Sequence, residues 1–129
     1  MTKEEFMQDY IGAFNRGDFD GFTRFYADDV DFDLGGKRRI KGRQAIREFY
    51  EGVFARIDET LDVTQLVIDD EGAACIIVTE FKALEDWSDF IAGPIRKGES
   101  IFIESFIFYR IGPDGKFTHV RTARSQGKA

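Results

Sequence analysis

The chain has 129 residues, 43% hydrophobic and 33% charged, with a formal charge of −6 and a pI near 4.8. That length suits one compact domain over 1–129 with a real core, and no apolar run approaches the roughly 20 residues that cross a bilayer. The acidic balance argues against nucleic acid as a partner, because such affinity comes largely from phosphate neutralisation by basic side chains. Met1-Thr2-Lys3-Glu4-Glu5 lacks the basic and then apolar regions of a signal peptide, so a cytoplasmic location and no membrane partner are expected.

In chain order, Thr2 and Glu5 form a capping-box pattern, and Phe6, Met7, Tyr10, Ile11 and Phe14 recur at helical spacing until Gly17. A first helix is expected over about 3–15. Asp18 is a good N-cap for a short second helix with Phe19, Phe22, Phe25 and Tyr26 on its apolar face, ending near Ala27-Asp28. Val30 to Leu34 alternates as a short strand, and Gly35-Gly36 turns it into the basic stretch Lys37-Arg38-Arg39, Lys41, Arg43 and Arg47. That stretch could meet an anionic ligand or RNA, but with no aromatics interleaved for base stacking its favoured reading is a solvated turn and helix start.

Ile46, Phe49, Tyr50, Val53, Phe54 and Ile57 form the clearest helical stripe, giving a third helix over about 43–56. The texture then turns to β. Strands are expected over Thr60 to Ile68, Ala73 to Leu84, Glu99 to Ile111 and Lys116 to Arg124, with a loop or lid from Glu85 to Gly98. Ser125 to Ala129 carries nothing to anchor it. Helices followed by a meander of strands imply helices packed on one face of a curved antiparallel sheet.

Fourteen phenylalanines are many for this length, and they can fill a core or wall a cavity for a flat apolar ligand. Cys75, the only cysteine, sits in an apolar strand and is expected to be a buried, inert thiol. His119 is the only histidine, with no second ligand at metal spacing. Asp29, Asp31 and Asp33 lack the glycine and the acid of a calcium loop, and there is no nucleophile elbow or phosphate-binding glycine loop. No metal or cofactor is expected.

The helix ending Phe14-Asn15-Arg16-Gly17-Asp18-Phe19-Asp20-Gly21, then Phe25-Tyr26-Ala27-Asp28-Asp29-Val30, then Lys41-Gly42-Arg43-Gln44-Ala45-Ile46-Arg47-Glu48-Phe49-Tyr50, resembles the ketosteroid isomerase and SnoaL-like branch of the NTF2-like superfamily. The resemblance implies a cone-shaped α+β (cystatin-like) barrel, three N-terminal helices on a curved, mainly antiparallel sheet. It also implies a deep pocket for a small hydrophobic ligand and a homodimer formed through the sheet. In that family a helix tyrosine, an aspartate base ending the first strand and a protonated acid on a late strand carry out proton transfer.

Carried over, Tyr10 takes the tyrosine's place and Glu104, with Phe106 two residues on, that of the protonated acid. The structural alternatives are a core tyrosine and a carboxylate paired to arginine. For the base, counting forward from Gly17-Asp18 gives Leu34, and counting back from Lys41-Gly42 gives Asp33. Strand side chains alternate, so the two counts put opposite side chains into the pocket. Leu34 would share one apolar inward face with Val30 and Phe32; Asp33 inward would complete a triad of Tyr10, Asp33 and Glu104. His119, Asp86 and Asp89 are substitutes should they reach the pocket, and its walls are expected from Phe14, Leu34, Phe54, Trp87, Phe102 and Phe106. The function implied is proton transfer, of isomerase or cyclase type, on a hydrophobic carbonyl compound. The alternative is a non-catalytic module for ligand binding or dimerisation, and epoxide opening ranks last because the Asp-Arg-Asp set of the limonene epoxide hydrolases is not evident.

Overall fold

A computed structural model describes residues 1–125. The expectation for the C-terminal tail falls outside the described residues from 126 onward, while the Ser125 amide donates to the Glu104 carbonyl at 2.9 Å. No helix among the described residues is long and apolar enough to cross a membrane.

The capping box forms as expected: the Thr2 amide donates to Glu5 Oε1 and the Glu5 amide to Thr2 Oγ1, both at 3.0 Å. The helix that follows is wound in wide π turns over Glu5–Ile11 and continues as α1, Gly12–Asn15. Gly17, at φ 69°, ends it in the left-handed conformation that glycine adopts most easily. Asp18 caps α2, Phe19–Thr23, by accepting from the Gly21 amide at 2.9 Å.

Beyond Thr23 the structure departs from expectation. Tyr26 and Ala27 begin a strand, β1, Tyr26–Leu34, which lies parallel to the last strand of the chain. Pairing with a distant segment overrides local helical spacing here; the Phe117 amide donates to the Phe25 carbonyl at 2.7 Å. The basic stretch supplies a short strand, β2, Arg39–Lys41, and then α3, Arg43–Phe54. Three long strands complete the meander, β3 Ile57–Ile68, β4 Gly72–Ala83 and β5 Ser100–Ile111, and β6 is Phe117–Arg124.

The sheet is open and six-stranded, in the order β2-β1-β6-β5-β4-β3, antiparallel except between β1 and β6. Its helix-covered face buries Tyr26, Val30 and Phe32 of β1, Ile57 and Glu59 of β3, Ile77 of β4, Ser105 and Tyr109 of β5, and Phe117 and Val120 of β6. Helix α3 packs Ile46, Tyr50 and Val53 against that face. Rings at close edge-to-face range fill the space between, among them Tyr10 with Phe117 at 5.0 Å and Phe14 with Tyr50 at 5.1 Å; each such pair adds about 0.5 to 1.5 kcal/mol beyond its buried area.

Asn15 ties the first helix to the sheet: its side-chain amide donates to the Leu61 carbonyl at 2.9 Å and accepts from the Leu61 amide at 2.8 Å. The loop from 85 to 98 is held by Arg56, whose guanidinium lies 4.0 Å from the Trp87 ring centroid and 3.2 Å from both Glu85 Oε2 and the Asp86 carbonyl.

Candidate functional site

Between α3, the sheet and the 85–98 loop lies an apolar cavity of about 150 Å³. Helix α3 contributes Phe49, Tyr50 and Val53, the sheet contributes Leu34, Phe81 and Ile103, and the loop contributes Phe90, Ile91 and Ala92. The polar lining consists of Glu59, Ser105 and Thr122 from the strands, the phenol of Tyr50, and Lys37 and Arg124.

Glu59 is the chemically distinctive group. Its side chain is 9% exposed, and its carboxyl forms no hydrogen bond or ion pair with any described residue. Burial pushes its pKa up from 4.5 to about 8, since water no longer solvates the carboxylate and nothing replaces it. No buried polar side-chain atom among the described residues is both sealed off and unpartnered, so the Glu59 carboxyl is reached from the cavity. Tyr50 lines the same space, and burial, reinforced by the Glu59 charge, raises its pKa well above 10.0. It stays a neutral hydroxyl, able to donate. A weak acid near pH 8 beside a permanent donor, in an apolar chamber, can move a proton and stabilise the oxyanion it leaves.

The residues expected to act are not brought together. Tyr10 is 2% exposed in the core behind the cavity, where its hydroxyl meets Tyr26 Oη at 2.6 Å and Tyr109 Oη at 3.4 Å; burial first, then these neighbours, raises its pKa well above 10.0. Asp33 stands on the face away from the helices, with Oδ1 accepting from the Gly36 amide at 2.8 Å in the turn that follows. Leu34 lines the cavity instead, so the forward count gives the inward residue. Glu104 is exposed on the outer face, because Ser105 and Tyr109 take the inward positions of β5. A strand apolar on both faces gives its residues no preferred side, and one step of register turns Glu104 outward.

Of the expected walls, Leu34 alone borders the cavity. Phe14 packs in the core against Tyr50 and Phe54, at 5.1 and 5.2 Å between ring centroids. Trp87 stands behind Phe90, 4.9 Å away, and lines a separate outer groove with Asp89. Phe102 and Phe106 are 64% and 47% exposed on the outer face. His119 is exposed and pairs in register with Asp31 on that same side, and Asp86 accepts from the Lys97 amide at 2.9 Å.

Glu59 had a signal in the sequence. Ile57, Leu61 and Val63 alternate with Asp58, Thr60 and Asp62, which puts Glu59 on the apolar face, although β3 begins earlier than its composition suggested.

N-terminal helices packed on an open, six-stranded mixed sheet match the NTF2-like fold of the structural neighbours. The SnoaL-like domain matches residues 7–120, and the chain belongs to that family. Among solved structures, a protein designated a polyketide cyclase from Pseudomonas putida is 25% identical, covering 98% of this chain and 93% of its own at a TM-score of 0.80. Another so designated, from Xanthomonas campestris pv. campestris, is 25% identical over 92% of this chain and 87% of its own, TM-score 0.76. A protein designated a ketosteroid isomerase from Kribbella flavida shares the fold at 19% identity over 95% and 77%, TM-score 0.69. No curated protein matches the chain.

Proposed function

We propose that the cavity binds a small apolar carbonyl compound and that Glu59 transfers a proton on it, in an isomerase- or cyclase-type step. The observation that carries this reading is the unpaired Glu59 carboxyl facing an apolar chamber. The carboxylate form takes a proton from the carbon next to the carbonyl, forming its own O–H as the C–H bond breaks. The electron pair moves onto the carbonyl oxygen, where the Tyr50 hydroxyl stabilises it, and Glu59 returns the proton to carbon. A base with a pKa near 8 holds and releases protons at neutral pH, where acid–base catalysis is most effective. Cyclases and isomerases among the structural neighbours support the reaction class.

The volume narrows the ligand: a cavity of about 150 Å³ is the size that holds one benzene ring. One ring-sized portion fits inside, and anything larger extends through the mouth. The test is NMR-monitored exchange of α-protons for deuterium in small cyclic ketones. Glu59→Gln should lower the exchange rate by about 100-fold or more and Tyr50→Phe by about 10-fold or more. If Glu59→Gln exchanges protons as fast as wild type, Glu59 is not the base; if wild type gives no exchange above buffer, the chain is a binding module without catalysis.

The same reading includes a second copy on the outer face, where Phe102, Phe106, Phe108 and Val67 are exposed together with no helix over them. Apolar surface of that kind marks an interaction site. A reducing compartment such as the cytoplasm fits the free, buried Cys75.

A further inference from the structure

The mouth of the cavity carries two cations, Lys37 from the turn after β1 and Arg124 at the end of β6. Both are exposed, and neither forms an ion pair or side-chain hydrogen bond with a described residue. Four of the other arginines are ion-paired, Arg39 with Asp31, Arg43 with Asp28, Arg47 with Asp20 and Glu51, and Arg56 with Glu85, while Arg16, Arg24, Arg38, Arg96, Arg110 and Arg121 form no ion pair with a described residue and lie outside the cavity lining. In a protein with 24 acidic residues against 18 basic ones, the cavity lining nevertheless holds no carboxylate but Glu59. The entrance thus holds two cations with no partner among the described residues, over a lining whose one carboxyl is Glu59.

Resting on the function proposed above, we infer that the ligand is an amphipathic acid: a ring-sized apolar carbonyl portion enters the cavity while a carboxylate on the same molecule meets Lys37 and Arg124 at its mouth. An ionised carboxylate is costly to bury, so it belongs at the rim in water and the ring belongs inside. Arginine presents a planar fork that matches a carboxylate's two oxygens, and lysine adds a mobile point charge. The anion at the rim also fixes which end of the molecule goes in, so the carbon to be deprotonated faces Glu59. A second negative charge inside opposes the first, so binding should weaken as Glu59 ionises.

The experiment compares 3-phenylpropanoate with 3-phenylpropanamide, equal in shape and different in charge, by calorimetry at pH 6.5. The acid should bind at least about tenfold more tightly than the amide, as a charge-assisted hydrogen bond predicts. The double variant Lys37→Gln, Arg124→Gln should lose that preference and keep the amide's affinity, and salt near 0.5 M should reduce the preference in wild type. Equal binding of the two probes overturns the inference and leaves the cavity reading in place. A preference that survives the double variant overturns it too. Failure of both probes to bind overturns the inference together with the pocket itself. Glu59→Gln separates the two claims, since it should abolish proton exchange while keeping the preference for the acid.

Discussion

The hydroxyls of Tyr10 and Tyr26 lie 2.6 Å apart in the core, and neither residue lines the ligand cavity. Tyr10→Phe removes one buried partner and leaves the Tyr26 hydroxyl short of a bond. The expected outcome is a loss of about 1 to 2 kcal/mol in urea unfolding with proton exchange unchanged. A loss of exchange with stability intact would return Tyr10 to the chemistry.

Glu59 should make stability fall as pH rises. The folded protein holds its proton up to about 8, whereas the unfolded chain releases it near the ordinary 4.5. The stabilisation is complete below the lower value and is lost as pH climbs through the upper one, at up to about 1.4 kcal/mol per pH unit between them. Unfolding curves at pH 5 to 9 should show this decline, and Glu59→Gln should flatten it. An equally steep decline in the variant would assign it to other groups.

Asn15 and the Leu61 backbone exchange two hydrogen bonds that join the first helix to the edge strand β3. Asn15→Ala leaves both groups of Leu61 to water. A cost of about 1 to 2 kcal/mol is expected, with the fastest amide hydrogen exchange appearing around Leu61.

The outer face makes its own prediction. Wild type should elute as a dimer in light-scattering chromatography, and Phe102→Asp with Phe106→Asp should give a monomer whose melting curve stays cooperative. A monomeric wild type at about 100 µM would remove the second copy from the proposed assembly, because obligate interfaces are tighter than that.

Much of the fold was legible in the residues. The Thr2 and Glu5 capping box, the Asp18 cap and the α3 stripe each depend on neighbours within a turn or two, so local spacing was enough to find them. Tyr26 and Ala27 fit helical spacing yet form a strand, because that strand exists only through pairing with Phe117 and its neighbours near the other end of the chain. The site was less legible than the fold. Shared alternation puts Val30, Phe32 and Leu34 on one face, and the same alternation in Ile57, Leu61 and Val63 puts Glu59 on the apolar face of β3.

The sequence by itself determined the order of helices and strands, the apolar stripes that bury them and the membership of the family, all properties of local spacing. Only the tertiary structure decided between Asp33 and Leu34, turned Glu104 outward and set Glu59 facing the cavity. The reason is that a strand's two faces differ by a single residue, and which one points inward is fixed by the partner strands: Leu34 sits beside Thr122 of β6, Glu59 beside Phe81 of β4 and Ser105 beside Ile77. Those partners lie far along the chain, so no window around the site contains the answer.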